Sequence, residues 1–180
     1  FKRGYFPESC PPSSHVILNF PKSAKTAGPV TVHWMDGGIQ PERPDELGPN
    51  EIFGDGGNGC LLIGTKGKMM CSTYGANPRL LPTSKTAETK VPQTVARVPG
   101  SADGHYAQWV EASIAGWGKK EVSSPFEIAG PLTEALLMAN LAIRAHDIRK
   151  SRPNNMGYDF PGRNLKLLWD NNAMKVTNFD

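Results

Sequence analysis

The chain contains few cysteines and no recognisable set of metal ligands. Its three cysteines, Cys10, Cys60 and Cys71, show no C-x-x-C spacing, and an odd number of thiols cannot all pair. None of the four histidines has another metal ligand four residues away, so we expect no metal site. We interpret the cysteines as small buried or half-buried thiols. Because Cys60 and Cys71 flank a predicted hairpin, a cross-strand contact between them is open, as is the redox compartment.

Long apolar runs and a strong net charge are also absent. No continuous apolar run approaches the ~18 residues of a membrane span, and the start of the chain lacks the pattern of a signal peptide. The net charge is only +3, and the densest basic cluster, at 144–152, is typical of the solvated end of a helix. We therefore expect neither membrane insertion nor a nucleic-acid partner.

The two ends of the chain carry no initiating methionine and no tail. The sequence begins at Phe1 and ends at Asp180, and we expect both ends to be cuts in a longer protein. The lack of a targeting segment is then uninformative, because any such segment would lie upstream of Phe1. Both a periplasmic and a cytoplasmic location therefore stay open.

The composition is typical of one soluble globular domain. A length of 180 residues is enough for a core, and 38% hydrophobic with 21% charged residues falls in the globular range. We predict a single domain over residues 1–180. Glycine and proline are frequent, and they predict long irregular connections at 36–58, 75–100 and 151–163.

Two hairpins are predicted from strand patterns. A β-branched, apolar run at 14–20 and period-2 alternation at 29–35 predict two strands joined by a short polar link. Apolar runs at 60–63 and 68–74 flank the tight-turn sequence Gly64-Thr65-Lys66-Gly67. Both faces of this second hairpin are apolar, which predicts a central place in a sheet covered on both sides by helices or by another subunit.

Two helices are predicted in the second half of the chain. Apolar residues between Tyr106 and Ile114 recur at helical spacing after the N-cap candidates Ser101 and Asp103. A second helix is predicted to open at Pro131 as its first residue. Apolar residues surround most of this helix, so we expect it to be largely buried.

The chain closes with two further strand patterns. Residues 165–169 predict a last strand, and 175–179 predict a short edge strand. The order is strands first, then helices, then strands again. That order predicts an α+β domain and not a doubly wound one.

The glycine cluster Gly54-Asp55-Gly56-Gly57-Asn58-Gly59 matches G-x-G-x-x-G but stands in the wrong context. A dinucleotide-binding version follows a strand and opens a helix, whose N–H groups bind the pyrophosphate. Here the cluster follows a proline-rich loop and opens a predicted strand, and no acidic residue closes a second strand about 20 residues later. We interpret it as a flexible turn and predict no cofactor-binding residue in this chain.

Five residues near strand ends and loops are candidates for contact with a substrate: His33, Asp36, Arg43, Tyr74 and Arg79. His33 and Asp36 run from a strand end into a long loop, a common position for a site, and structural packing of His33 is the alternative. Tyr74 and Arg79 offer stacking and donor groups for a sugar or polyol, and they are equally suited to anchoring a loop. No activated nucleophile is recognisable, so we assign no catalytic residue.

The second hairpin and three longer stretches together resemble a known family. The stretches are Val32-His33-Trp34-Met35-Asp36-Gly37-Gly38-Ile39-Gln40-Pro41-Glu42-Arg43-Pro44, Ala129-Gly130-Pro131-Leu132-Thr133-Glu134, and the segment 168–178. In order, and across nearly the whole chain, they resemble the C-terminal, non-Rossmann domain of the Gfo/Idh/MocA oxidoreductases. The resemblance is to a Bacteroidetes-type branch of that family.

The resemblance implies a fold and a partner domain. It implies a predominantly antiparallel open sheet with helices packed on one face and the other face available for subunit contact in a homo-oligomer. It also implies a parent protein whose N-terminal Rossmann domain binds NAD or NADP, whereas this fragment binds neither.

The reaction that the resemblance implies is hydride transfer between the nicotinamide and a sugar or polyol. The principal catalytic motifs of the family lie outside this sequence, so the fragment alone is expected to be inactive. Two alternatives stay open: an NAD-dependent glycosidase of the same family, and a non-catalytic carbohydrate-binding or structural module.

Overall fold

The structure, a computed structural model, describes residues 8–179. These residues form two compact units. The first contains the described residues up to Ile39 and those from Val98 onward, and the second is Gln40–Arg97. A single domain over 1–180 stays a prediction.

The described residues form short strands and three α-helices, named here in chain order. The strands are β1 (His15–Phe20), β2 (Val30–Met35), β3 (Cys60–Gly64), β4 (Gly67–Cys71), β5 (Arg79–Leu81), β6 (Lys150–Ser151), β7 (Tyr158–Asp159), β8 (Trp169–Asp170) and β9 (Lys175–Val176). The helices are α1 (Ser84–Glu88), α2 (Gly104–Ala115) and α3 (Phe126–Asp147). Single 3₁₀ turns lie at Thr73–Gly75, Ser101–Asp103 and Pro153–Asn155.

The strands build open antiparallel sheets, which confirms the α+β class. Within the described residues there are four such sheets, ordered β1-β2, β3-β4-β5, β6-β7 and β8-β9. All of their pairings are antiparallel. The strands are divided among small sheets because each pairs with its neighbour in sequence, while the proline- and glycine-rich connections between hairpins form no ladder.

The first unit is built on the β1-β2 hairpin, and both predicted strands are confirmed. His15 lies opposite Met35 and Val16 lies opposite Trp34. Residues directly opposite each other share a face of the sheet, so Val16 and Trp34 lie on one face and His15 lies on the other. Val16 is buried, and β1 contacts α3.

The helix α2 forms where the apolar periodicity predicts it, but without the expected side-chain cap. Asp103 occupies the N-cap position with helical backbone angles, and its side chain makes no capping hydrogen bond. Close packing at Gly104 helps to explain this start, because a Cβ there would collide with the Pro99 carbonyl oxygen. The helix ends at Gly116, whose φ of 94° lies in the region that favours glycine.

The start predicted for α3 is wrong, since the helix begins at Phe126 and Pro131 lies inside it. Pro125 is the N-cap residue, and its carbonyl already accepts hydrogen bonds from the N–H groups of Ile128 and Ala129. The first turn is therefore closed before Pro131 is reached. A proline within the helix removes one N–H donor, but it does not set the first residue.

The expectation that α3 is largely buried is also wrong for this chain. Only Ala139 and Ala145 of its described side chains are buried, whereas Leu132 and Leu137 are 59% and 55% exposed. One stripe faces the hairpin, Ala145 packs close to Gly162, and much of the remaining apolar circumference is exposed. By length and composition alone α3 could cross a membrane, which is weak evidence because core helices pass the same test. The absence of membrane insertion stays a prediction.

Three short elements in the last part of the chain differ from the pattern in the sequence. The predicted loop 151–163 contains the β6-β7 hairpin, beside which Arg152 pairs with Asp159 at 2.7 Å. The strand predicted at 165–169 is reduced to the end of that range because the Asn178 side chain bonds both the Leu168 N–H and the Lys166 carbonyl. These side-chain bonds replace a backbone ladder.

The second unit is the three-stranded sheet β3-β4-β5 with β4 in the centre. The hairpin predicted around Gly64-Thr65-Lys66-Gly67 is confirmed, with Cys60 opposite Cys71. Its core consists of Leu47, Met70 and Leu81, and Met70 is fully buried. As the edge strand, β3 is open, and Ile63 is 71% exposed.

The prediction that 75–100 is irregular throughout is wrong, because β5 and α1 lie there. Both elements are too short to produce a periodic pattern. Tertiary contacts specify them instead: Leu81 completes the core, and the Thr86 hydroxyl of α1 accepts a hydrogen bond from the Leu80 N–H at 2.9 Å.

Replacing Met70 by Ala should destabilise the second unit by about 2–5 kcal/mol, because it leaves a cavity in a small core. The four tryptophans all lie in the other unit, so the measurement is hydrogen exchange of β3–β5 peptides by mass spectrometry. Ile63→Ala on the exposed edge strand is the control, with a change within about 0.5 kcal/mol. Equal protection in both variants would contradict Met70 as the centre of this core.

Candidate functional site

The first unit contains a cleft between α3 and the β1-β2 hairpin. Its volume is about 270 Å³, and its polar lining comes from Ser14, Trp34, Asp36 and Asn140. The apolar lining comes mainly from Leu136, Ala139 and Ile143 of α3. The cleft thus combines a few polar groups with an apolar wall, as small-molecule sites do.

The spacing of residues on α3 explains its side of the cleft. Leu136, Ala139, Asn140 and Ile143 follow the i, i+3, i+4, i+7 pattern and therefore share one face of the helix. Asn140 is the polar member of this otherwise apolar stripe. Its side-chain amide can both donate and accept hydrogen bonds, so it suits a hydroxylated ligand.

Asp36 lies beside the cleft, and several hydrogen bonds fix its position. Its carboxylate accepts from the Ser14 N–H at 2.6 Å, from the Ser14 hydroxyl at 2.9 Å and from the Trp34 indole N–H at 3.2 Å. The Asp36 N–H in turn donates to the Ser14 carbonyl at 3.0 Å. These bonds tie the start of β1 to the end of β2 and fix the carboxylate beside the cleft.

The same contacts determine the charge of Asp36. The hydrogen bond from the Ser14 hydroxyl lowers the pKa of Asp36 below its ordinary value of 3.8, and the Ser14 N–H and Trp34 act in the same direction, whereas desolvation opposes them. Asp36 is therefore ionised at neutral pH. It can accept hydrogen bonds from a ligand. It carries no proton to donate at that pH, so it does not suit the role of a general acid.

His33 does not join Asp36 in the cleft. It lies opposite Ile17 and therefore on the face of the hairpin away from Trp34. There, His33 Nδ1 is 2.9 Å from His15 Nε2, and the two rings are tilted. Among residues 8–179, no group of three metal-ligating side chains includes this pair.

In the second unit, Arg43 and Arg79 hold the long loop through its backbone carbonyls. One Arg43 Nη atom donates to the Gly48 carbonyl at 2.5 Å and to the Glu51 carbonyl at 2.8 Å. One Arg79 Nη atom donates to the Gly54 carbonyl at 2.6 Å. Of the two roles that the sequence leaves open for Arg79, this geometry favours the loop anchor.

Tyr74, the remaining candidate, is fully solvent-exposed. It lies in the 3₁₀ turn Thr73–Gly75 with a left-handed φ of 58°. Left-handed backbone is uncommon for an aromatic residue and marks a constrained turn. The ring is free to stack against a partner from solvent.

The glycine cluster does not fit a dinucleotide. It follows a loop and opens β3, as its sequence context predicts. The Asp55 carboxylate accepts hydrogen bonds from the Gly57 N–H at 3.2 Å, the Asn58 N–H at 2.7 Å and the side chain of Thr73. The N–H groups that would bind a pyrophosphate are thus directed at a carboxylate. The Thr73 hydroxyl, followed by the Asn58 and Gly57 N–H groups, keeps the pKa of Asp55 far below its usual range, so its negative charge would repel phosphate.

Of the polar lining of the cleft, the sequence-based candidates included only Asp36 and missed Ser14, Trp34 and Asn140. The signal for Asn140 was present, because a lone amide interrupts the apolar stripe of α3. Ser14 gave no comparable signal, since a serine before a strand is common. Its role depends on Asp36, which lies 22 residues away in sequence.

Comparisons with known proteins give no assignment of a family. No protein-family model matches the chain, and a search of curated proteins finds no significant match. The resemblance to the Gfo/Idh/MocA oxidoreductases stays a prediction, and function must be argued from the chemistry of the surfaces and the cleft.

Replacing Asp36 by Asn should lower the free energy of unfolding by about 1 kcal/mol at pH 7, because the charge-assisted bonds from Ser14 and Trp34 weaken. A group with a lowered pKa stabilises the fold above its unfolded pKa, and that contribution is lost as the pH falls through the folded pKa. The difference from the unmodified protein should therefore be constant above pH 3.8, shrink as the pH falls below 3.8, and vanish only below the lowered pKa of folded Asp36. Urea unfolding followed by tryptophan fluorescence measures it.

The matched control for this prediction is Asp103→Asn. Asp103 also lies in the first unit, and its side chain makes no capping hydrogen bond. We expect this control to leave the free energy of unfolding unchanged both at pH 7 and below pH 3.8. If Asp103→Asn lowered the free energy of unfolding as much as Asp36→Asn does, the loss of a negative charge, and not the loss of the Asp36 hydrogen bonds, would explain both effects.

Proposed function

We propose that this chain is the substrate-side and oligomerisation domain of a Gfo/Idh/MocA-type oxidoreductase that uses NAD or NADP and acts on a sugar or polyol. The observation that carries the proposal is the large apolar surface that the chain leaves uncovered. The cleft around Asp36 supports the substrate class.

The chain exposes far more surface than a self-sufficient protein of its mass. Its solvent-accessible surface is 14630 Å². A compact monomer of 19.5 kDa exposes about 8500 Å². Even two separately folded compact units of the same total mass would expose only roughly 10,000 Å². Several thousand Å² are therefore available for contact with further protein.

Much of the uncovered surface is apolar and lies on regular elements. In the first unit, Leu132 and Leu137 of α3, Trp109 of α2 and Ile17 of β1 are each about half exposed or more. Exposed apolar residues on α3 and on the β1 strand that it contacts favour an interaction surface over scattered exceptions, and Trp109 adds to the exposed apolar area. They suit two partners: the N-terminal Rossmann domain of the parent chain and a second copy of this chain.

The cleft supports a polyhydroxylated substrate. Its ionised Asp36 accepts hydrogen bonds, its Asn140 donates and accepts them, and its Trp34 ring offers an apolar face. A volume of about 270 Å³ lies just below the roughly 300–1,000 Å³ of ordinary ligand pockets, so the cleft suits only a small ligand. No residue of this chain is given a role in hydride transfer. The nicotinamide would supply that chemistry when it is bound in the parent protein.

Self-association tests the oligomerisation part of the proposal. Sedimentation of the chain between about 1 and 100 μM should show a dimer or larger species. Ile17→Lys, on the open face of β1, should shift the equilibrium towards the monomer by at least tenfold. Val95→Lys, at an exposed position in an irregular segment, is the control and should change nothing. A chain that stays monomeric at every concentration would refute this part.

Ligand titrations test the cofactor and substrate parts. Calorimetry with NAD(H) and NADP(H) should show no binding to this chain, whereas the parent protein should bind one of them. The parent should then oxidise sugars or polyols; release of an aryl group from aryl glycosides would favour the glycosidase instead. Tight cofactor binding by the chain alone would contradict the proposal, and so would a parent that binds neither cofactor.

A further inference from the structure

The β3-β4 hairpin places two thiols directly opposite each other. Cys60 begins β3 and Cys71 ends β4, and the register pairs the two residues. Opposite residues on antiparallel strands have Cα atoms about 4.5–5.5 Å apart, and a disulfide needs roughly 4.4–6.8 Å. Side chains of directly paired residues also point to the same face with Cβ atoms about 4.5–5.5 Å apart, so a small approach of the two strands would bring the sulfur atoms within bonding distance.

A further observation shows that the strands approach closely at this pair. A Cβ added at Gly59 would collide with the carbonyl oxygen of Cys71, so the backbones meet just before Cys60. Both cysteines are free thiols in this structure.

The two thiols differ in access. Cys60 is exposed, whereas Cys71 is buried and only 8% exposed. A small oxidant therefore reaches Cys60 first, and Cys71 is held within reach of the product but shielded from solvent. This is the arrangement of an attacking thiol with a neighbouring resolving thiol.

We propose that Cys60 and Cys71 form an oxidation site that a peroxide closes into an intramolecular disulfide. Cys60 reacts with hydrogen peroxide to give a sulfenic acid and one water. The Cys71 thiol then attacks the sulfenic sulfur, which releases a second water and forms the S–S bond. The two thiols are oxidised by two electrons in total, and the peroxide oxygen is reduced to water.

The site is protected at neutral pH. Although Cys60 is exposed as a residue, partial desolvation of its thiol raises its pKa above the usual range, and the Cys71 charge and hydrogen bond add to the effect. Because the thiolate is the nucleophile, little of it is present at pH 7. The disulfide therefore forms slowly at neutral pH and faster as the pH rises.

Formation of the disulfide would act as a clamp on the glycine turn at residues 54–59, because it would restrict the motion of that turn. Ser72, which follows Cys71, donates from its hydroxyl to the Gly54 carbonyl at 3.3 Å, and Thr73 donates to the Asp55 carboxylate. A covalent link at Cys71 would restrict the strand end that carries these bonds. Oxidation thus sets the rigidity of the turn and of the neighbouring sheet edge.

The test uses Cys10→Ser, which removes the one cysteine outside the pair and leaves the hairpin unchanged. Treated with hydrogen peroxide at pH 7, 8 and 9, it should lose two hydrogens in intact mass and both titratable thiols, and a peptide map should link Cys60 to Cys71. The rate should rise by roughly tenfold per pH unit. Thermal unfolding of the oxidised protein should shift upward by about 5–10 °C and return after reduction.

A second variant keeps the proposal open to refutation. In Cys10→Ser with Cys71→Ser, the Cys60 thiol should gain oxygen atoms instead of losing hydrogen, and the melting temperature should not rise. The proposal is overturned if the first variant gains oxygen on both cysteines, forms only disulfide-linked dimers, or retains both thiols at pH 9. Slower hydrogen exchange at residues 54–59 after oxidation supports the clamp, and unchanged exchange contradicts it.

Discussion

Hydrogen bonds to ionised carboxylates fix the loops and strand ends that lie outside the small cores of this chain. Asp36 ties the two ends of the β1-β2 hairpin together through Ser14. In the other unit, Glu51 binds the Gly48 N–H and the Thr83 hydroxyl, and Asp55 organises the glycine turn. Each carboxylate has a pKa lowered first by a hydroxyl donor, so each carries its charge at neutral pH. The loops therefore depend on charge-assisted bonds more than on burial.

This reliance on surface carboxylates matches the shortage of buried apolar area. A small core stabilises a domain only weakly, because the conformational entropy of ordering the chain offsets most of the gain. The second unit has a core of three buried side chains, and α3 leaves most of its apolar circumference uncovered. Contact with further protein would bury that surface. The cleft lies on one side of the β1-β2 hairpin and the exposed Ile17 on the other.

Local patterns predicted the elements whose periodicity is long enough to detect. The alternation in 29–35 and the turn sequence around Gly64 specify their strands, because side-chain direction alternates with a period of two. The three-residue β5 and the five-residue α1 carry no such period and were not predicted. The start of α3 was misplaced because Pro131 is a common first helical residue, while the bonds to the Pro125 carbonyl come from the folded chain.

The cleft shows the same division between features that the local sequence predicts and features that only the folded chain decides. The sequence by itself determined that Asp36 follows a strand, that the glycine cluster opens a strand rather than a helix, and that α3 is apolar around its axis. Only the tertiary structure decided that Asp36 bonds Ser14 and lines a cleft with Asn140 while His33 faces away, and that Arg43 and Arg79 bind loop carbonyls. The reason is that local geometry is encoded in neighbouring residues, whereas hydrogen-bond partners and exposure depend on residues tens of positions apart.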